Sequence, residues 1–519
     1  MRLQKTKLAS GSSVLLALLL LLPGLAPTQP CAAQAVATAP ALSTTIVRTQ
    51  AGQLQGKRED DMLVFRGVAY AEAPVGAQRF RPPQPLKPWR GIRQVTAIGP
   101  KATQVSNDKL QGQEDCLALN VWAPATATPK SKKAVVVWVH GGAFTGGTGS
   151  DFPGANFAQR DDVVTVSINY RLGSLGFLYL GSALGPAYQN SGNCGLLDAV
   201  AALQWVHQNI SAFGGDPARV TVMGESAGAK LVSALLVTPA AQGLFQQAIL
   251  ESGSVQCVRD TATAATVTRR LLQELHLAPN QAQQLLTLPP ATLMQAQAKI
   301  ASGPGGLQLF GPVLDGTVIT TAPLTYLSRP NRAPLRVLLG TNRDEAASFM
   351  NSWPTLAQPN ADVLTPLFGK NGSYVWRAYS SLSQTQPADK AWLTTVTDYL
   401  YRMATYRLAQ TLVGAAQPVW LYRFDYEPSA DQRPVHAREL GYAWNSLPRE
   451  LSANPTSQQL ATLMHHHWVS FIKTGKPEAA WPAYTAADRQ VMLFDATSHP
   501  TPLPSPYEDP AFPVQGFVL

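Results

Sequence analysis

Residues 220–228 read Val-Thr-Val-Met-Gly-Glu-Ser-Ala-Gly, and 229–236 continue Ala-Lys-Leu-Val-Ser-Ala-Leu-Leu. A short apolar run here gives way, within a few residues, to a helix-forming one. A buried strand that turns at once into a helix needs residues without bulk on either side of the corner, and Gly224 and Gly228 supply them. The corner pushes Ser226 out of the sheet. Its hydroxyl then stands at a helix N-terminus, where free N–H groups and the helix dipole favour developing negative charge.

The rest of the chain agrees with a sheet packed by helices. Val135–Val139 and 163–168 are continuous apolar runs of the kind buried in parallel sheets, and 196–210 has helical periodicity. Strand runs recur at 220–223, 248–250, 335–339 and 419–424, with helical stretches between them. The expected fold class is therefore α/β: a large, mostly parallel, doubly wound sheet flanked by helices. Residues 260–330 and 350–415 are expected as helical insertions capping it, where substrate choice is made. Thr45–Gln55 suggests a small hairpin. The segment from Phe65-Arg66-Gly67-Val68-Ala69-Tyr70 to Trp89 carries enough proline to be expected as an ordered surface loop. With 45% hydrophobic and 14% charged residues, the chain can fill one large core.

The first 35 residues stand apart. Arg2, Lys5 and Lys7 precede an apolar run, Val14–Leu22, and then small residues ending in Ala33-Gln34-Ala35. This is the order of a secretory signal peptide cleaved after Ala35, leaving 36–519 as one domain in the periplasm or outside the cell. The apolar run is too short for a stable membrane span, and Thr28-Gln29-Pro30 before Cys31 lacks the small residues of a lipid-attachment site. Removing the three leader cations takes the formal charge from +9 to +6. That mild excess, with no dense basic run beyond Lys130-Ser131-Lys132-Lys133, points away from nucleic acid and is compatible with anionic esters. Cys116, Cys194 and Cys257 remain, allowing at most one internal disulfide.

His140-Gly141-Gly142-Ala143-Phe144 follows the strand ending at Val139. Small residues there let backbone N–H groups approach an oxyanion, and the amide of Ala227 would complete the hole. A serine nucleophile also needs a histidine base. Of eight histidines, His140 lies in the oxyanion loop, His207 and His276 in helical patterns and His499 near the C-terminus. His465, His466 and His467 are consecutive, so on a helix they diverge and cannot share a tetrahedral metal. His436 remains, in a loop after the strand ending near Phe424. The acid belongs in the loop after 335–339, where Asp344 and Glu345 are adjacent and position does not choose between them. No metal or cofactor is expected.

These residues resemble the type-B carboxylesterase family, the cholinesterase-like branch of the α/β-hydrolases. The resemblance spans nearly all of 36–519. Glu114-Asp115-Cys116-Leu117-Ala118-Leu119-Asn120-Val121 is similar to one family signature, and Phe213-Gly214-Gly215-Asp216-Pro217 followed by 224–228 to the other. The resemblance implies a small-molecule ester substrate, Ser226 as nucleophile, Glu345 as the triad acid, His436 as base, and oxyanion donors at Gly142, Ala143 and Ala227. It further implies that Glu225 and Glu439 support the histidine. Both family disulfides are expected to be absent, since neither Cys116 nor Cys257 has its usual partner. Residues 104–114 lack the tryptophan that holds choline in the cholinesterases, which argues against choline esters. The same body could instead serve as a non-catalytic recognition module, or cleave amides, carbamates or thioesters through the same tetrahedral chemistry.

Overall fold

The computed structural model describes residues 45–151, 154–330 and 333–502. The leader (1–35) and the lead-in that follows it (36–44) lie outside them. Ile46–Arg48 and Gln53–Gln55 pair as the expected hairpin. The main sheet has eleven strands: β1 Lys57–Glu59, β2 Met62–Ala69, β3 Ala118–Pro124, β4 Lys133–Val139, β5 Val164–Ile168, β6 Gly215–Glu225, β7 Gln247–Glu251, β8 Arg336–Asn342, β9 Val419–Phe424, β10 Gln490–Phe494 and β11 His499–Pro502. Across the sheet they run β11-β10-β9-β8-β7-β6-β4-β5-β3-β2-β1. Strands β4 to β10 are mutually parallel. Antiparallel β1–β3 close one edge and antiparallel β11 the other.

Alternate residues of a strand face opposite sides, so a strand buried on both sides reads as an unbroken apolar run. In β4, Val135, Val137 and Val139 pack into one core while Ala134, Val136 and Trp138 pack into the other. Helices α1 (Cys194–Asn209) and α2 (Ala227–Leu235) cover the first face through Leu196, Leu203, Val206, Leu231 and Val232. Helix α3 (Pro455–Thr474) covers the second through Leu460, Met464, Trp468 and Phe471.

One expectation is corrected. Phe65–Ala69 is not surface loop but the second half of β2, with Phe65 and Val68 buried. The prolines that suggested a loop begin only at Pro74, and Gly67, at φ +67°, accommodates a break in register between Phe65 and Val68.

The insertions are helical, as expected, and the second carries its own apolar cluster around Leu356, Leu364, Phe368, Trp392 and Tyr401. Between helices Ala388–Thr397 and Met403–Gly414 the chain makes a single π-helical turn, Asp398–Arg402. Arg402 fixes this turn by pairing with Asp398 and donating to the carbonyl of Arg343 at 2.7 Å. Cys116, Cys194 and Cys257 are buried free thiols. Among the described residues no helix is long and apolar enough to cross a membrane.

Candidate active site

Strand β6 ends at Glu225 and α2 begins at Ala227, so Ser226 forms the whole corner at φ 53°, ψ −120°. This backbone region costs a non-glycine residue about 1–3 kcal/mol and persists only when the surroundings enforce it. Here the Ser226 N–H donates to the Glu251 carbonyl at 2.8 Å, and its carbonyl accepts from the Lys230 N–H at 2.9 Å. The flanking glycines are needed for space. A Cβ on Gly224 would lie 2.6 Å from the Gly228 carbonyl carbon, and one on Gly228 2.0 Å from the Val139 oxygen.

The loop after β4 packs directly on this corner: a Cβ on Gly141 would meet the Glu225 backbone oxygen at 2.9 Å and Ser226 Cβ at 3.2 Å. Gly142, Ala143 and Phe144 all have positive φ, at 107°, 52° and 61°. The Gly142 carbonyl pins the turn by accepting from the amides of Thr145 and Gly146. The Ala227 amide stands at the start of α2, where helix N–H groups have no intrahelical partner. His140 is a support of this loop: its ring stacks on Tyr170 at 4.6 Å, its Nδ1 lies 2.8 Å from the Gly141 carbonyl, and burial pushes it down to about 4, which keeps it neutral.

The choice between Asp344 and Glu345 is made by side-chain direction. Asp344 points to Arg343 at 3.0 Å and Arg433 at 3.3 Å. Glu345 is fully buried and points inward, its Oε2 2.6 Å from His436 Nδ1. Its Oε1 accepts from Ser252 Oγ at 2.6 Å and from the Asn342 N–H at 2.8 Å, which fixes the carboxylate's orientation. The other histidine nitrogen, Nε2, lies 3.1 Å from Glu225 Oε1. That contact is electrostatic, since Glu225 Oε1 has no aligned donor. Burial acts to hold His436 down, but Glu225 and Glu345 together outweigh it and push it up to about 9.

Behind the histidine lies a set of buried carboxyls. Burial, reinforced by repulsion from Glu345, pushes Glu225 up to about 7 against the opposing pull of His436. Burial, with Glu345 and Glu225 adding to it, pushes Glu439 up to about 8. Glu251, which accepts from Trp468 Nε1 at 2.9 Å, is held well above the usual carboxylate range, again chiefly by burial. Ser252 bridges Glu345 and Glu439, and Asn342 Nδ2 donates to Glu439. The insertion completes the wall: Phe349 and Tyr401 pack on the His436 ring at 5.0 and 4.7 Å, and the Tyr401 hydroxyl is in polar contact with the Ser226 side chain.

Ser226, His436, Glu345, Glu225, Glu439 and the 141–144 loop are thus brought together. The histidine run is not part of the site: His465 is buried between the Ala443 carbonyl and Asp161, both at 2.8 Å, and no group that could hold a metal occurs among the described residues. Sequence reasoning missed Ser252, Asn342, Glu251 and Tyr401. The first three sit at the carboxyl ends of β7 and β8, where an α/β sheet places its sites, and that position was the available signal. Tyr401 had none.

A model of the carboxylesterase family matches residues 43–505. The chain belongs to this family. It is 36% identical over 483 residues to the para-nitrobenzyl esterase of Bacillus subtilis (strain 168), covering 87% of this chain and 95% of that one. It is 32% identical over 492 residues to the phenmedipham hydrolase of Pseudarthrobacter oxydans, with the same coverage. The carboxylesterase EST55 of Geobacillus stearothermophilus, solved at pH 6.2, superposes with a TM-score of 0.79 at 36% identity, covering 88% of this chain and 97% of that one. This carboxylesterase therefore has the α/β-hydrolase fold and hydrolyses carboxylic esters, which excludes a purely non-catalytic module.

Proposed function

We propose that this carboxylesterase is an exported serine esterase that works through a covalent acyl-enzyme on Ser226. His436 takes the Ser226 proton as the hydroxyl attacks the ester carbonyl, and Glu345 orients the imidazole and stabilises its cation. The amides of Gly142, Ala143 and Ala227 receive the oxyanion, each worth roughly 3 kcal/mol in the transition state. His436 then returns the proton to the leaving alcohol. A water deprotonated by the same histidine releases the acid and frees Ser226.

The observation that carries this reading is the 2.6 Å contact between His436 Nδ1 and the buried Glu345, beside a serine held at positive φ against a loop of positive-φ residues. In the resting arrangement Nε2 faces Glu225, so attack requires the imidazole to exchange that carboxylate for the Ser226 hydroxyl. Export is supported by the order of charges, apolar run and small residues in 1–35.

The test is hydrolysis of p-nitrophenyl esters from acetyl to palmitoyl. Ser226→Ala is expected to lose about 10⁶-fold in kcat and Glu345→Gln about 10⁴-fold. Turnover by Ser226→Ala at the wild-type rate would end the serine mechanism. Mass spectrometry of the protein secreted with its own leader is expected to find Val36 as the first residue.

A further inference from the structure

Lys230 is a buried cation beside the nucleophile to which the chemistry above gives no task. It follows Ser226 by four positions on α2, so it lies on the same helix face, and helical side chains lean back toward the N-terminus where Ser226 sits. Only 4% of the residue is exposed. Its ammonium lies over the face of Tyr401, 5.4 Å from the ring centre. Tyr401 is in turn the residue packed on His436 and in polar contact with Ser226. The π-helical turn that carries Tyr401 is the kind of local irregularity found at functional sites.

Holding a lysine ammonium this far from bulk water is costly, and a cation–π contact offsets only part of that cost. Burial depresses its pKa, the nearby Arg259 adds to that, and Cys257, Glu225 and Glu345 oppose it. Both carboxylates are committed to His436. Methionine or leucine would fill the same volume at lower cost. A lysine here gains most from a ligand that brings a negative charge into the site.

We propose that Lys230, seated on Tyr401, binds an anionic group of the substrate, so that esters carrying a free carboxylate are the preferred class. This rests on the reading of Ser226 as the nucleophile. It accounts for the buried charge and gives Tyr401 a second role, since its hydroxyl can donate to the same carboxylate.

The test measures kcat/KM by proton release for the full-length enzyme on two matched series. In the first, monoethyl glutarate and monoethyl adipate are compared with ethyl valerate and ethyl hexanoate, placing the charge on the acid side. In the second, O-acetyl-4-hydroxybutyrate is compared with butyl acetate, placing it on the alcohol side. Wild type is expected to favour the anionic member of one series by about tenfold or more, as a charge-assisted hydrogen bond provides. Lys230→Met should remove that preference and Lys230→Arg should restore part of it. Absence of any preference in wild type for either series overturns the proposal, and this arm needs no variant to fold. So does a parallel loss on neutral and anionic esters in Lys230→Met, which would make Lys230 a prop for Tyr401. Failure of the underlying reading looks different: no turnover of the neutral esters by wild type, or turnover by Ser226→Ala.

Discussion

His436 stands between two carboxylates that act on it in different ways. Glu345 binds Nδ1 and fixes the ring, whereas Glu225 approaches Nε2, the nitrogen that must be free to take the serine proton. Glu225 therefore stabilises the imidazolium and raises the pH at which the base becomes available. Replacing it by glutamine removes a negative neighbour, so the pKa of His436 must fall. The acid limb of kcat/KM against pH is expected to move down by about one unit in Glu225→Gln, roughly 1.4 kcal/mol of lost interaction. An unmoved limb would show that Glu225 does not govern the base. At this scale the sequence is legible where chemistry restricts residue type: serine between glycines, and a histidine in a late loop. It is not legible where direction decides. Asp344 and Glu345 are one residue apart, and only the guanidinium groups of Arg343 and Arg433 draw the first away from the site. Tyr401 reaches Ser226 from 175 positions away in the chain, through a local π-helical turn that no periodicity announces.

The corner between β6 and α2 is held by close approach. Gly228→Ala would place a methyl carbon 2.0 Å from the Val139 oxygen, on a strand that cannot retreat without disturbing the 141–144 loop. Overpacking of this kind costs about 3 kcal/mol or more when backbone must move. A clear drop in melting temperature, accompanied by loss of activity, is expected. Gly414→Ala is the contrast, because nothing lies within 4 Å of its added carbon at the end of a helix. There the change is expected to fall within about 1 kcal/mol, on the stabilising side. Equal melting temperatures for the two variants would refute the steric account. Elements buried on both faces, such as β4 and β5, were legible because their apolar runs are unbroken. Strand β2 was not, because the sequence reading joined it to the proline-rich segment that follows and Gly67 interrupts its pairing.

Across the whole molecule, the buried acid groups link folding to pH. Glu225 and Glu439 are pushed up to about 7 and 8, and His436 to about 9. In each case the folded state holds its proton more tightly than the unfolded chain. The stability they contribute is therefore complete below the unfolded values and is lost as pH rises through the folded ones. His140 and His467, both lowered to about 4 by burial, act in the opposite sense below about pH 6.5, and Lys230, also lowered by burial, opposes the three groups at higher pH as a single site. The melting temperature is therefore expected to fall steadily between pH 7 and pH 9 in calorimetry. A flat or rising trend over that range would contradict the protonation states assigned around His436.

The two ends of the sheet bear on how the molecule behaves in a crowd. A parallel sheet of this size would ordinarily present a row of unpaired amides and carbonyls at each side, ready to accept a strand from another chain. Here β1 is Lys57-Arg58-Glu59, with its two cations exposed, and β11 is His499-Pro500-Thr501-Pro502, in which two of the four residues have no N–H to offer. A neighbouring molecule that drew alongside would meet charge on one flank and a half-mute backbone on the other. Such margins let a large β-rich enzyme be packed at high concentration without its sheets knitting together.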